Sequence, residues 1–226
     1  MAGNYSRFKE AGFKIPKYLL PWESSNILNH TIGLMRPGFD NIFLIANKKD
    51  NQYFDHIKMI LKVYDIPFDN LVIIDDTKSQ NESAFKGISS IKEKLNGPLF
   101  IHNVDTLLYK RDFKAIKKLI LNCSGYIDIF KSNNHNYSYV ISKNQIINNV
   151  AEKILISDNA SSGLYGFKNL DTYLKYYKKG FIIDMFKDLI KDNHSILHGN
   201  IHTEKDTIVL GTPSEYFHQS KLILNY

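Results

Sequence analysis

The order of apolar and amphipathic stretches predicts an α/β fold with a mostly parallel, mixed sheet. Three observations carry this. Residues 41–47 (NIFLIAN) and 71–74 (LVII) are short continuous apolar runs, as strands buried on both faces are. Between them, residues 52–64 put Phe54, Ile57, Ile60, Leu61 and Tyr64 on one face of a helix. A further apolar run, GPLFIH, leads straight into Asn103, Val104 and Asp105. In such sheets ligands sit beyond the carboxyl ends of the strands, which directs attention to the segments after residues 74 and 102.

The chain has 226 residues, so one domain spanning 1–226 with a sizeable core is expected. Apolar residues make up 43% and charged residues 23%, the composition of an ordinary globular chain. The net charge of +6 suits anionic partners. It forms no long basic block, so no nucleic-acid partner is expected. No apolar run reaches the length of a membrane span, and no signal peptide is visible. Cys123 is the only cysteine, which excludes an internal disulfide and a thiolate metal cluster. These features favour the cytoplasm.

At the N-terminus Ala2, Gly3 and Asn4 form a small-residue turn, followed by Arg7 and an Ile15-Pro16-Lys17 tether. Gly3 lets backbone N–H groups approach an anion, and Arg7 and Lys17 are the cations it would want. The segment reads as a phosphate loop or as a polar basic arm, and it matches neither G-x-x-x-x-G-K-[ST] nor G-x-G-x-x-G. Ser24 or Ser25 caps a helix through Met35, which Pro37 and Gly38 stop. After the strand at 71–74, Thr77, Ser79, Gln80, Asn81 and Ser83 form a dense donor and acceptor set, with a helix from about Glu82. Asp105 at a strand end suits Mg²⁺, which takes oxygen ligands, or caps a turn.

A helix at 111–122 and strands at 125–130 and 137–142 follow, joined by a turn at which His135 is solvated. Helices are expected at 170–178 and 182–191, with Tyr173, Tyr176 and Tyr177 as packing residues. His194, His198 and His202 recur every four residues, but Gly199 and Asn200 make the segment strand and loop, against a metal site.

The stretch MAG-x-x-SRF-x-x-AG-x-K-x-PK-x-L-L-P resembles the signature loop of the sugar-phosphate nucleotidyltransferases, the NDP-sugar pyrophosphorylase-like family. The likeness continues at VAEKILISDNASSGLYGF and at TIVLGTPSEYFHQ and covers nearly the whole chain. It implies a Rossmann-like, GT-A type three-layer sandwich. It also implies a first β-strand before the loop. Met1 stands where that strand should have ended, so the expectation is a truncated or misassigned start.

The resemblance further implies roles. Ala2, Gly3, Asn4, Gln80, Ser83 and Asn103 would bind the nucleotide. Arg7, Lys17 and Asp105 would be catalytic, with Asp105 holding Mg²⁺. Glu152, Lys153 and Gly163 would bind the phosphorylated substrate. Ser79 stands where the family has a glycine, and Val209 where it has a second metal aspartate, which leaves Asp105 alone unless Asp206 reaches in.

The activity implied joins a nucleoside triphosphate to a sugar-1-phosphate, releasing pyrophosphate, in a setting of surface polysaccharide (capsule or LPS) biosynthesis. The partners implied are those two small substrates, and a homodimer is compatible with it. Two other readings stand: a CTP-dependent cytidylyltransferase for a non-sugar phosphate, and a non-catalytic nucleotide-binding relative. Glycosyltransferases of related architecture need D-x-D, and Asp75-Asp76 lacks that spacing.

Overall fold

The computed structural model describes Met1 and residues 3–224, with side chains through Lys221. In chain order the elements are α1 (Ser6–Glu10), β1 (Pro21–Trp22), β2 (Ser25–Asn26), α2 (Ile27–Met35), β3 (Leu44–Asn47), α3 (Phe54–Val63) and β4 (Leu71–Ile74). There follow α4 (Gln80–Ser90), β5 (Leu99–His102), β6 (Thr106–Leu108), α5 (Phe113–Ile120), β7 (Gly125–Lys131), β8 (Ser138–Lys143), β9 (Ile146–Glu152) and β10 (Asn159–Phe167). The chain closes with α6 (Leu170–Tyr176), α7 (Ile183–Lys191), β11 (Ile196–Leu197), β12 (Thr207–Val209) and α8 (Pro213–Leu224). Among the described residues no strand precedes α1. Among the described residues no helix is long and apolar enough to cross a membrane.

The chain forms two compact units. The first comprises Met1–Asp76, Asn103–Arg111 and Asp206–Tyr226. In it β3 and β4 pair in parallel, Leu44 opposite Leu71 and Asn47 opposite Ile74. β6 and β12 pair antiparallel, which puts Val209 opposite Thr106. Tyr18, Leu28, Ile32, Leu44, Ile57 and Leu61 make one buried cluster, and Phe8, Trp22, Ile27, Leu107 and Leu210 another. Phe8 is how the five-residue α1, too short to be stable alone, is held: its ring meets Phe13 edge-on at 5.3 Å.

The helix expected to start on Ser24 or Ser25 is capped by Asn26 instead. The Asn26 side chain accepts from the Asn29 N–H at 2.9 Å, and Ser25 and Asn26 both pair with β1 just before the helix. The Thr31 hydroxyl on α2 lies 2.8 Å from the Val104 carbonyl, tying that helix to the turn that carries Asp105.

The second unit comprises Thr77–His102 and Asp112–Lys205. Its six-stranded sheet has the order β5-β10-β7-β11-β9-β8. Here β7 and β11 are parallel, with a further parallel bridge from Phe130 to His202, and the other strand pairs are antiparallel. The sheet is therefore mixed, as expected, with a smaller parallel share than expected. The two residues between β8 and β9 can only turn a hairpin, and that dictates antiparallel pairing there.

Ile127, Ile129, Phe167, Tyr173, Phe186 and Leu189 are almost wholly buried in its core. Tyr173 packs edge-on against Phe167 at 5.2 Å, and Tyr177 stacks on Phe85 at 3.9 Å, so these tyrosines are packing residues. Cys123 is buried, and burial pushes its thiol above the usual range.

Two of the three histidines spaced four apart, His194 and His198, have hydrogen-bond partners. His194 lies 3.0 Å from the Ser124 hydroxyl and 2.8 Å from that of Tyr176. His198 is buried, with Nδ1 2.7 Å from the Gly199 carbonyl and Nε2 2.9 Å from the Ser142 hydroxyl. A carbonyl only accepts, so Nδ1 carries the proton and Nε2 accepts from Ser142.

Burial lowers the His198 pKa, so the unfolded chain takes up that proton before the folded one does. The resulting stability is present above about pH 6.5 and drains as pH falls towards the depressed value. His198→Gln is expected to flatten the fall of the stability–pH curve below about pH 6.5, measured by urea unfolding at each pH.

Candidate active site

In the first unit the sequence places Lys17 and Asp105 far apart, yet the fold makes them an ion pair with direct contact between Nζ and Oδ2. Each is held by local structure. Pro16 (φ −57°, ψ 140°) feeds a 3₁₀ turn over Lys17–Leu19, and the buried Tyr18 fixes that turn. The Asp105 carbonyl accepts from the Leu210 N–H at 2.8 Å, and the Asn103 carbonyl from the Thr106 N–H at 3.2 Å, which closes the turn after β5. The side chains are 22% and 14% exposed, so the pair lies near the surface and within reach of a ligand. Burial alone would raise the Asp105 carboxyl, but the Lys17 charge and hydrogen bond override it and hold it below the usual carboxylate range.

A buried carboxylate anchors this loop from beneath. Asp50 is 1% exposed. Its Oδ1 accepts from the Tyr5 hydroxyl at 2.6 Å and its Oδ2 from the Tyr18 hydroxyl at 2.9 Å. Burial and the Asp50 charge push both phenols well above their ordinary range, so both stay protonated as donors. Tyr5 takes left-handed backbone (φ 36°, ψ 39°), an uncommon state for a bulky side chain, and its bond to Asp50 helps hold it there.

The rest of the loop is open. Gly3 is exposed, and a Cβ built on it would meet nothing within 4 Å. Asn4 accepts from Lys49 Nζ through its side-chain oxygen. Arg7 is exposed on α1 and pairs with no carboxylate among the described residues. Ala2 lies outside the described residues. Asn103 is half-buried at the end of β5.

Val209, where the resemblance implies a second metal aspartate, leaves β12 without a carboxylate. Asp206 does not reach in; its carboxylate is 2.8 Å from Lys110 Nζ. An acid that does flank Gly211 together with Asp105 is Glu215, which sequence reasoning missed. A Cβ built on Gly211 would stand 3.3 Å from Asp105 Oδ2 and 3.5 Å from Glu215 Oε2. Glu215 also forms a capping box with Thr212, whose hydroxyl donates to Oε2 at 2.9 Å. The T-P-S-E spelling was its signal.

Among the described residues no three His, Cys, Asp or Glu side chains gather as an all-protein metal cage. One or two hard carboxylate oxygens beside a gap that a Cβ would fill suit Mg²⁺, which keeps water and phosphate for the rest of its shell.

In the second unit, Gln80 opens α4 and Ser83 lies one turn further on. The helix starts two residues before the expected Glu82 because Ser79 is its cap, accepting from the Glu82 N–H at 3.2 Å while the Glu82 carboxylate accepts from the Lys78 N–H at 2.9 Å. The Ser83 hydroxyl is bonded to Thr77 and sits 3.2 Å from the Ser79 carbonyl, so it also serves the cap.

Glu152 ends β9 and accepts from the Ser138 hydroxyl. Lys153 follows in left-handed backbone (φ 54°), with Nζ 3.9 Å from Glu152 and 5.0 Å from the centre of the Phe181 ring. Gly163 (φ 85°) sits where the β10–β7 register shifts, between Ser161 and Tyr165, a bulge that glycine accommodates.

No model of a known protein family matches the sequence. The fold itself is that of solved nucleotide-sugar pyrophosphorylases. The nucleoside-diphosphate-sugar pyrophosphorylase of Vibrio cholerae RC9 superposes with a TM-score of 0.80 at 23% identity, covering 96% of each chain. A putative glucose-1-phosphate thymidylyltransferase from Bacillus anthracis, in complex with a sucrose, gives 0.78 at 14% identity over 98% of this chain and 92% of that one. A UDP-glucose pyrophosphorylase complexed with UDP-glucose gives 0.71 at 16% identity over 99% and 96%.

The anchoring role of Asp50 has a measurable consequence. Tyr18→Phe keeps the ring but strips the hydroxyl from a buried carboxylate oxygen. It is expected to cost about 1–3 kcal/mol of stability, read by urea unfolding. Unchanged stability would show that Asp50 is satisfied without Tyr18.

Proposed function

We propose that this chain is a nucleotidyltransferase that joins a nucleoside triphosphate to a sugar-1-phosphate and releases pyrophosphate. The observation that carries the reading is the Lys17–Asp105 pair, assembled by a phosphate-type loop and a strand-end turn on a pyrophosphorylase fold. An oxygen of the acceptor phosphate attacks the α-phosphorus. A new P–O bond forms, the bond from the α-phosphorus to the bridging oxygen breaks, and its electrons leave with pyrophosphate. The acceptor is already ionised, so no protein nucleophile is required.

The chain's contribution is then position and charge. Gly3 and Asn4 give the triphosphate an open turn. The solvent-facing Arg7 holds the leaving phosphates. Lys17 is fixed by its partner and meets the α-phosphate, where charge develops. Asn103, Gln80 and Ser83 contact the nucleoside. In the second unit Lys153 takes the acceptor phosphate, Glu152 takes hydroxyls of the acceptor, and Gly163 lets the acceptor approach the backbone. Asp105 would hold Mg²⁺ together with phosphate oxygens, with Glu215 as a further carboxylate beside Gly211. Bound there, the ion supplies neutralisation of phosphate charge. Surface-polysaccharide synthesis in the cytoplasm is the setting proposed for the product.

The test is pyrophosphate release with Mg²⁺, each nucleoside triphosphate being crossed with a panel of sugar-1-phosphates and non-sugar phosphates. One pair is expected to turn over. Lys17→Met and Asp105→Ala should each lower kcat by roughly 10²–10³-fold. A non-sugar acceptor with CTP would move the assignment to the cytidylyltransferase reading. Silence from every pair would leave a nucleotide-binding relative.

A further inference from the structure

In the second unit a serine and a histidine meet that no step of the proposed transfer uses. Ser142, near the end of β8, is half-buried, and its Oγ donates to His198 Nε2 at 2.9 Å. His198 follows β11 and is 4% exposed. Its Nδ1–H donates to the Gly199 carbonyl at 2.7 Å, so the ring presents a lone pair to the serine and can take its proton. Nucleophile, base and a third group that orients the base are the parts of an activated hydroxyl, and they recur on unrelated folds.

The fold brings them together from two sides. The β8–β9 hairpin turns through Asn144 and Gln145, both in left-handed backbone (φ 52° and 65°). Its tip is tied to the histidine by the His198 N–H, which donates to the Gln145 carbonyl at 3.1 Å, and by Leu197 of β11, which pairs with Ile146 of β9. The β8–β9 register shifts between Ile141 and Ser142, and a bulge of this kind re-aims the side chain beside it. The charge felt by the ring is that of the buried Asp128 on β7, whose Oδ1 also accepts from the Tyr126 hydroxyl at 3.1 Å. Burial outweighs that charge and lowers the His198 pKa, so the ring is largely neutral at pH 7 and is a weak base.

A weak base suits only an acyl donor with a good leaving group. A thiol ionises at about 8.5, far below an alcohol or an amine, so a thiolate can leave where those cannot. We propose that Ser142 is an acylation site that takes the acyl group of a small thioester, with His198 as general base. Oγ bonds to the thioester carbonyl carbon and its proton passes to His198 Nε2. The C–S bond then breaks, its electrons go to sulfur, and the proton follows to the thiolate. The products are O-acylated Ser142, a free thiol and a neutral imidazole. This site stands apart from the nucleotidyltransferase reading and does not rest on it.

The test incubates the full chain with S-acetyl-N-acetylcysteamine and follows acetylation by peptide mass spectrometry, with fragmentation to separate Ser142 from the adjacent Lys143. Wild type is expected to carry acetyl on Ser142. His198→Gln is expected to slow that acetylation by roughly 10²-fold or more, with unfolding midpoints as a control for folding. The wild type gives a second reading that needs no substitution. Its rate at Ser142 should rise with pH while His198 loses its proton and be level above about pH 6.5. Acetyl absent from Ser142, or present on Lys143 alone, overturns the proposal. So does a folded His198→Gln slowed by less than about tenfold, or a wild-type rate that keeps climbing with hydroxide to about pH 9.

Discussion

The carboxylate of Asp50 is the constraint on which the N-terminal loop depends. A buried anion is costly unless each oxygen has a donor, and here both donors are tyrosines from the loop itself. Tyr5 lies just past the glycine turn and Tyr18 immediately after Lys17. The intervening residues are pinned at both ends, so α1 and the Pro16–Lys17 tether need little stability of their own. Because Lys49 precedes Asp50, the same short segment also holds Asn4 and Asp76. Loop, strand ends and lysine are thus referenced to one buried group.

Much of the fold was legible from local pattern, and the misses have physical causes. Residues 71–74 read as a strand because a polar residue or an acid bounds the apolar run on each side. The preceding strand was drawn over 41–47 but is ordered only from Leu44. The Ile42 carbonyl is taken by the Asn70 side chain at 2.9 Å instead of joining the parallel ladder. The start of α4 was misjudged although Ser79-x-x-Glu82 spells a capping box. Asp50 was not legible at all. It sits in a polar run, and its meaning lies in tyrosines many residues away.

The candidate site was legible where its chemistry is carried by single positions. Lys17 and Asp105 were named separately, and the fold joined them. Glu215 drew no reading from the sequence, because T-P-S-E spells a helix start and not a ligand. Val209 shows the converse: the substitution is visible in the sequence, but only the fold shows that Asp206 has turned to Lys110 and that Gly211 leaves space beside Asp105.

The pairing of Lys17 with Asp105 has a consequence for how an anion reaches this surface. A contact ion pair is a dipole, and its field fades with distance much faster than that of a lone charge. At physiological salt, screening shortens its reach further, to about 8 Å or less. A polyanion still in bulk water therefore feels the net charge of +6 and solvent-facing cations such as Arg7, and barely feels Lys17. Capture and discrimination fall to different residues: the diffuse positive charge gathers anions, and the lysine acts only on a phosphate close enough to compete with Asp105 for it.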